Sequence, residues 1–399
     1  MDKPRLAYVS FDIVPAPKGA ATHITAVVKS LAAAFGKIEL VTVAPTTEFN
    51  QGLSTTLDLP GVIHSTLPAI GDTVINRAMH FRRHLSAWWK NQRFEVVQIR
   101  SIYEGFPIAL NKQQYCDQLI FEVNGLPSIE LKYHYPEVAE DRELMHKLRT
   151  QEELCLESAD LIITPSRVTS GYLQTRGVPN QKIRVLPNGV DLDIFTYRSP
   201  QLVTTTTPLK VLYFGTLSPW QGVGLAVEAL AVVGDLIYLT VIGPGRDRQV
   251  QALNQLALKL GVANQLKVLE PMSQTQLVEQ IHAADVIVAP LMPSDRNLYQ
   301  GCCPLKILEG MATGTPVITS NIPVVRELGM DGVHLLAVKP GSAQAIAEAL
   351  VRLRTEPGLA TQLAQAARNR VETHHTWKLA GDALVAICEE IGIKRSITV

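Results

Sequence analysis

Two ionisable residues, Lys306 and Glu309, stand three positions apart in the stretch Gly301 to Ser320 (GCCPLKILEGMATGTPVITS). They follow a glycine, two cysteines and Pro304, a residue favoured where helices begin. On a helix that spacing puts both side chains on one face. A carboxylate there can accept both hydroxyls of a ribose, while the free amides of the helix start and the lysine hold phosphates. The competing reading is an i, i+3 ion pair on a solvated face, which is common on helices. Position shifts the weight toward the first reading: the stretch follows a strand ending Ala289-Pro290 and precedes Gly314-Thr315-Pro316, where α/β sheets bind ligands.

Other turns have the composition for close backbone approach. The first strand empties into FDIVPAPKGAATH (Phe11 to His23), where Gly19 precedes a helix whose free N–H groups suit an anion. VLYFGTLSPWQG (Val211 to Gly222) carries Gly215, Thr216 and Gln221, and the next strand ends in Gly243-Pro244-Gly245. Neither is G-x-G-x-x-G, and G-x-x-x-x-G-K-[ST] is absent, which argues against a dinucleotide fingerprint and a P-loop.

Such turns need strands behind them. Runs at Arg5–Ser10, Ile38–Ala44, Glu95–Arg100, Gln118–Val123, Asp160–Thr164 and Lys182–Leu186 alternate with helical patterns. Several are apolar at successive positions, as in strands covered by helices on both faces. Thr196 to Pro208 (TYRSPQLVTTTTP) has no periodicity and reads as a linker. The alternation then restarts at Lys210–Phe214, Leu236–Ile242, Gln265–Leu269, Asp285–Ala289, Pro316–Thr319 and Val333–Val338. The fold class is α/β, with two doubly wound domains and the cleft between them as the expected site.

Composition bounds the function. Thirty-seven Lys and Arg balance 37 Asp and Glu, leaving no net field for a nucleic-acid backbone. No run approaches the roughly 18 apolar residues of a membrane span, and Met1 to Ser10 reads as a strand, not a signal peptide, so the cytoplasm is expected. The five cysteines form no C-x-x-C pair and are expected to be reduced thiols.

In order along the chain, KGAATH (18–23), ITPS (163–166), LPNGVDLDIF (186–195), GTLSPWQG (215–222), IGPG (242–245) and PLKILEGMATGTPVI (304–318) resemble the retaining glycosyltransferases of family 4. The pairing of PNGVD with LEGMATGTPVI is the specific part. The resemblance implies the GT-B fold, two Rossmann-like domains facing a central cleft. It implies an acceptor-binding domain at 1–199, a nucleotide-sugar domain at 200–375 and a last helix at 376–399 returning to the first. It also implies a UDP- or GDP-sugar co-substrate with no other cofactor and no metal. The acceptor is expected to be a sugar, a lipid-linked compound or a small molecule, used in the cytoplasm or peripherally at the inner face of the membrane.

Carried over by position, Glu309 resembles the ribose-binding glutamate that closes the family's E-x7-E motif. Gly301 stands where the partner glutamate is expected, so donor-sugar contacts fall to the amides of Gly301, Cys302 and Cys303, with Pro304 and Leu305 opening the helix. The Arg and Lys that usually clamp the diphosphate after Gly215 are Thr216 and Gln221 here, and Gly243 offers the second backbone approach. We read Lys306 and Lys18 as the replacing charge. Asn124 stands where many members have a histidine; its amide can hold a hydroxyl or the leaving phosphate but cannot titrate near neutrality. His23, Arg100, Glu104 and Glu122 are the candidates for acceptor recognition. With no evident carboxylate pair, the implied reaction runs on one face of the sugar, the departing diphosphate taking the acceptor's proton.

Other signals carry less. Asp191-Leu192-Asp193 spells a metal motif of a different transferase fold in the wrong context, and His80 and His84 lack a third ligand. The helix Arg77 to Arg93 could lie on anionic lipid through Phe81, Leu85, Trp88 and Trp89, but burial of that stripe under the sheet is preferred. A pyridoxal-phosphate phosphorylase is disfavoured, since nothing marks its lysine. A catalytically inactive sugar-nucleotide sensor stays open, because Gly301, Thr216, Gln221 and Asn124 all depart from the usual choices.

Overall fold

The computed structural model describes residues 5–45, 56–201, 207–234 and 237–395. Contacts divide the chain into two compact units, Met1–Pro187 with Lys378–Val399, and Asn188–Trp377. The first border therefore falls at Pro187/Asn188, not at 199/200, and the second at Trp377/Lys378. The reason lies in the first half of the expected linker, which packs on the second unit. There Phe195 is buried, the Arg198 amide donates to Thr313 O at 2.9 Å, and the Tyr197 ring lies against Gly314. Residues 202–206 of that stretch lie outside the described residues.

In the first unit β1 (Leu6–Ile13), β2 (Ile38–Val43), β3 (Val62–Leu67), β4 (Phe94–Ile99), β5 (Cys116–Glu122), β6 (Leu161–Thr164) and β7 (Ile183–Val185) form a parallel sheet in the order β3-β2-β1-β4-β5-β6-β7. β3, VIHSTL, is absent from the sequence reading. It is an edge strand with every residue half-buried, so its composition carries no fully apolar run. The C-terminal helix, Trp377–Glu390, buries Leu384, Val385, Ile387 and Cys388 with Ile24, Val28 and Leu31 of the helix Gly19–Phe35. The approach is close: a Cβ on Gly381 would lie 2.3 Å from Ser30 Oγ.

The helix Val74–Trp88 puts Phe81, Leu85 and the following Trp89 into the core, so the aromatic stripe is not an exposed face. Arg82, within that stripe's basic flank, is half-buried and donates to the carbonyls of Ile102 and Tyr103. Among the described residues no helix is long and apolar enough to cross a membrane, and none of the five cysteines is in a disulfide.

The second unit repeats the plan. β8 (Leu209–Phe214), β9 (Ile237–Ile242), β10 (Leu266–Leu269), β11 (Val286–Ala289), β12 (Val317–Ser320) and β13 (Leu336–Val338) form a parallel sheet in the order β10-β9-β8-β11-β12-β13. Leu236, expected to open β9, lies outside the described residues. In each sheet the order reverses direction beside the first strand, between β1 and β4 and between β8 and β11. Loops leaving the carboxyl ends of those strands diverge to opposite faces and open a crevice, which is the usual ligand position in doubly wound sheets.

The helix Leu305–Thr313 lies on this second sheet so closely that a Cβ on Gly310 would be 2.6 Å from Ile287 Cδ1. Every residue of it from Lys306 to Thr313 is buried. An amphipathic helix at the surface keeps its charges in water; this one carries a lysine and a glutamate inward.

Candidate functional site

In the second unit three glycine turns converge at the reversal point. Gly215 (φ +123°) ends β8 and Gly243 (φ +147°) ends β9, and a Cβ on Gly243 would stand 2.1 Å from Gly215 O. Gly222 (φ +68°) turns back on β11, where its Cβ would meet Pro290 O at 2.0 Å. The segment after β11 is stitched to the same turn: the Met292 amide donates to Trp220 O at 2.9 Å, and buried Asn297 donates to Trp220 O and Met292 O. A π-helical turn, Arg296–Gln300, then delivers Gly301 at φ +82°. A glutamate at position 301 would be strained in that conformation, which is a physical reason for glycine here. Asn188 of the PNGVD motif holds the loop from behind, donating to Cys303 O at 2.8 Å.

The helix that follows starts at Leu305, with Pro304 in the N-cap position rather than the first helical one. Lys306 points back to the turn after β8. Its Nζ donates to Tyr213 Oη at 2.9 Å and to Gln221 Oε1 at 2.7 Å, lies 4.0 Å from the Tyr213 ring centroid, and would be 3.0 Å from a Cβ on Gly215. Burial lowers its pKa to about 7, with Glu309 pulling the other way. Glu309 is 9% exposed, and burial raises its carboxyl to about 7 against the pull of Lys306. The two do not form the i, i+3 ion pair of the competing reading; among the described residues Glu309 has no hydrogen-bond partner. A buried acid and a buried base are thus held side by side without direct contact, an arrangement enriched at functional sites. Thr216 presents its backbone: its carbonyl accepts from Tyr213 Oη at 2.6 Å.

In the first unit the polar residues gather on Glu122. β1, β4 and β5 register Tyr8 beside Gln98 and Gln98 beside Ile120, so the pleat puts Tyr8, Gln98, Arg100 and Glu122 on one face. The helix Gly19–Phe35, covering that face, brings His23. Glu122 Oε1 meets His23 Nε2 at 2.6 Å and Arg100 Nε at 3.3 Å and accepts from Asn124 Nδ2. Its Oε2 accepts from Tyr8 Oη at 2.8 Å and Gln98 Nε2 at 2.7 Å. Burial works to raise its pKa, but His23, then Arg100 and Tyr8, overcome it and hold the carboxylate far below the usual range. Arg100 also donates to Asp12 Oδ2 at 2.6 Å.

Two of the acceptor candidates also carry structural contacts. Glu122, 2% exposed with both oxygens occupied, is a structural hub. Glu104 is fully buried at the start of the helix Ile102–Leu110, where Oε1 accepts the amides of Arg100 and Ser101 at 2.8 and 2.6 Å as half of a capping box. Burial raises its pKa to about 8. His23 and Arg100 are nearly buried, each with one face on Glu122, and Asn124 is half-buried. Lys18 is exposed at the N-cap of the helix that Gly19 opens.

Tyr8, Gln98 and Tyr213 escape sequence reasoning because each sits in an apolar strand and reads as core. Only the register shows their hydroxyl or amide ends meeting a charge. Asp191 forms an Asx turn, Oδ1 accepting the Asp193 amide at 3.0 Å, and His80 Nδ1 lies 3.1 Å from Pro68 O. Among the described residues no group of three or more His, Cys, Asp or Glu could hold a metal ion.

Two sequence families match the chain in series: Glycosyltransferase Family 4 over residues 17–194 and Glycosyl transferases group 1 over 198–370. A D-inositol 3-phosphate glycosyltransferase of Xylanimonas cellulosilytica is 28% identical over 231 residues, 54% of each chain. The chain spans about half the length of the curated relatives it matches. Among solved structures, a sucrose-phosphate synthase from Thermosynechococcus elongatus superposes with a TM-score of 0.79 at 20% identity, over 97% of this chain and 99% of that one. Anabaena HepE in complex with UDP-glucose superposes with a TM-score of 0.74 at 16% identity, over 97% and 100%. These matches and the two doubly wound sheets make the chain a member of the group 1 glycosyltransferases of family 4, with the GT-B fold.

Proposed function

We propose that this chain moves a sugar from a nucleotide-diphosphate sugar, with UDP or GDP as the nucleotide, to an acceptor hydroxyl, with retention of anomeric configuration and without a metal ion. The observation that carries the reading is the buried, mutually uncontacted pair Lys306 and Glu309 at the reversal point of the second sheet. Burying both groups is costly, and a ligand that offers an anion to one and hydroxyls to the other offsets that cost. HepE, of similar fold, is described in complex with UDP and glucose and with UDP-glucose.

In this reading Glu309 accepts the ribose hydroxyls. The amides of Gly301, Cys302 and Cys303 contact the donor sugar, while the helix start at Pro304 and Leu305, the Gly215-Thr216 and Gly243 turns, and the Lys306 ammonium surround the diphosphate. Gln221 orients that ammonium. On the acceptor side, Asn124 and Lys18 serve the reacting end and His23 and Arg100 the acceptor, which is a sugar, a lipid-linked compound or a small molecule. The bond from the anomeric carbon to the phosphate oxygen breaks as the bond to the acceptor oxygen forms on the same face. The leaving diphosphate takes the acceptor's proton, so the protein contributes position and charge stabilisation rather than a nucleophile.

Thermal melting against a panel of UDP- and GDP-sugars tests this, because a ligand that binds only the folded state stabilises it in proportion to its affinity. A stabilising donor, turned over to a product whose anomeric configuration NMR shows to be retained, is expected. A folded protein that no nucleotide sugar stabilises refutes the reading.

A further inference from the structure

We propose that Tyr213 is the positioning residue of this site: it holds the Lys306 ammonium against the Gly215 turn with one N–H left for a ligand's diphosphate. The inference rests on the donor-site reading above and assigns a role to a residue that sequence reasoning places in the core.

A phenol has one proton to give. Here that proton is committed locally, Tyr213 Oη donating to Thr216 O at 2.6 Å. The lone pairs are left to face Lys306 Nζ at 2.9 Å, so the hydroxyl acts as an acceptor. Burial raises the phenol's pKa far above neutrality, so the proton stays in place. The ring adds a second restraint, its face 4.0 Å from the ammonium, which is the geometry of a cation–π contact. Gln221 Oε1, at 2.7 Å, takes another of the three ammonium hydrogens. Among the described residues the third has no acceptor.

Without these restraints a four-carbon stem samples many rotamers and its head returns to water, losing the preorganisation that makes a buried charge effective. The same hydroxyl ties two parts together, since the carbonyl it donates to belongs to Thr216 in the turn and the atom it accepts from belongs to the helix Leu305–Thr313. Tyr213 thus sets the distance between turn and helix as well as the direction of the charge.

The test is a double-mutant cycle on the full chain with UDP and GDP as probes, read by calorimetric titration. Lys306→Met is expected to weaken the preferred nucleotide by tenfold or more, the scale of a lost hydrogen bond to a charged group. Tyr213→Phe keeps the ring and removes only the hydroxyl; about a five- to tenfold loss is expected. In the Lys306→Met background Tyr213→Phe is expected to cost less than twofold, because there is no ammonium left to hold. A purely structural tyrosine would lower the melting temperature and weaken binding by the same factor in both backgrounds, and that result overturns the proposal. Wild-type binding by a folded Tyr213→Phe protein also overturns it. If the wild-type chain binds neither nucleotide, the donor reading falls and takes this role with it; if Lys306→Met weakens binding while Tyr213→Phe does not, only the role of Tyr213 falls.

Discussion

Replacing the two buried charges by neutral shapes, Lys306→Met with Glu309→Gln, should make the protein more stable at neutral pH while abolishing its nucleotide affinity. Burial lowers Lys306 from 10.5 to about 7. At about 1.4 kcal/mol per tenfold change in proton affinity, that represents roughly 4 kcal/mol against the folded state at pH 7. Raising Glu309 from 4.5 to about 7 adds roughly 3 kcal/mol.

The pH dependence has a definite sign. Between pH 7 and 10.5 the unfolded lysine holds a proton that the folded one has released, so stability rises with pH. Between pH 4.5 and 7 the folded glutamate holds a proton that the unfolded one has lost, so stability falls as pH rises. The pair therefore puts a minimum near pH 7. Arg296 and Cys302, which also act on Lys306, shift its position without changing its sign. Against the gain, methionine leaves Tyr213 Oη and Gln221 Oε1 each short of one donor, about 1 kcal/mol apiece. The net expectation is a stabilisation of about 5 kcal/mol at pH 7, or several degrees in the melting transition. Denaturant titrations and calorimetry at pH 5, 7 and 9 measure it, with UDP or GDP present as the comparison. Saturating nucleotide should stabilise the wild type and not the variant. A double variant less stable than wild type at pH 7, or one that keeps the wild-type pH profile, would refute the account of the pair as costly and ligand-directed.

Glu122→Gln should cost about 3 to 5 kcal/mol in denaturant titration, because it leaves buried His23 without the carboxylate it faces and Arg100 with Asp12 alone. In the wild type the same carboxylate, held well below its ordinary 4.5, should make stability fall as the pH drops below that value. Glu104→Gln should be nearly neutral at pH 7, where a carboxyl raised to about 8 is already protonated, whereas Glu104→Ala should lose the helix cap and about 1 to 2 kcal/mol. Turnover should survive EDTA. Loss of activity restored by manganese would reverse the metal assignment and bring Asp191 and Asp193 back into consideration.

The parallel-sheet architecture was legible because buried strands must be apolar on both faces, and IELVTV or LIIT admits little else. The edge strand VIHSTL was not, since half-burial leaves a half-polar composition. The unit border moved to Pro187/Asn188 because Tyr197 and Arg198, polar and unpatterned in sequence, find partners at Gly314 and Thr313. Lys306 and Glu309 could be singled out by type, spacing and the turn before them. Their lack of direct contact could not, since it depends on Lys306 reaching across to β8.

What the sequence by itself determined is whatever depends on neighbours along the chain: the strand and helix periods, the glycine turns, and the order of motifs that marks the family. The tertiary structure decided which charges became functional candidates and which became scaffold. Glu104, Glu122 and Glu309 are chemically equivalent carboxyls. One caps a helix, one is saturated by Tyr8, His23, Gln98, Arg100 and Asn124, and one is buried with no hydrogen-bond partner among the described residues. A carboxylate's role follows from the donors within about 3 Å of it, and those donors come from strands and helices far apart in sequence that only the sheet register and helix packing bring together.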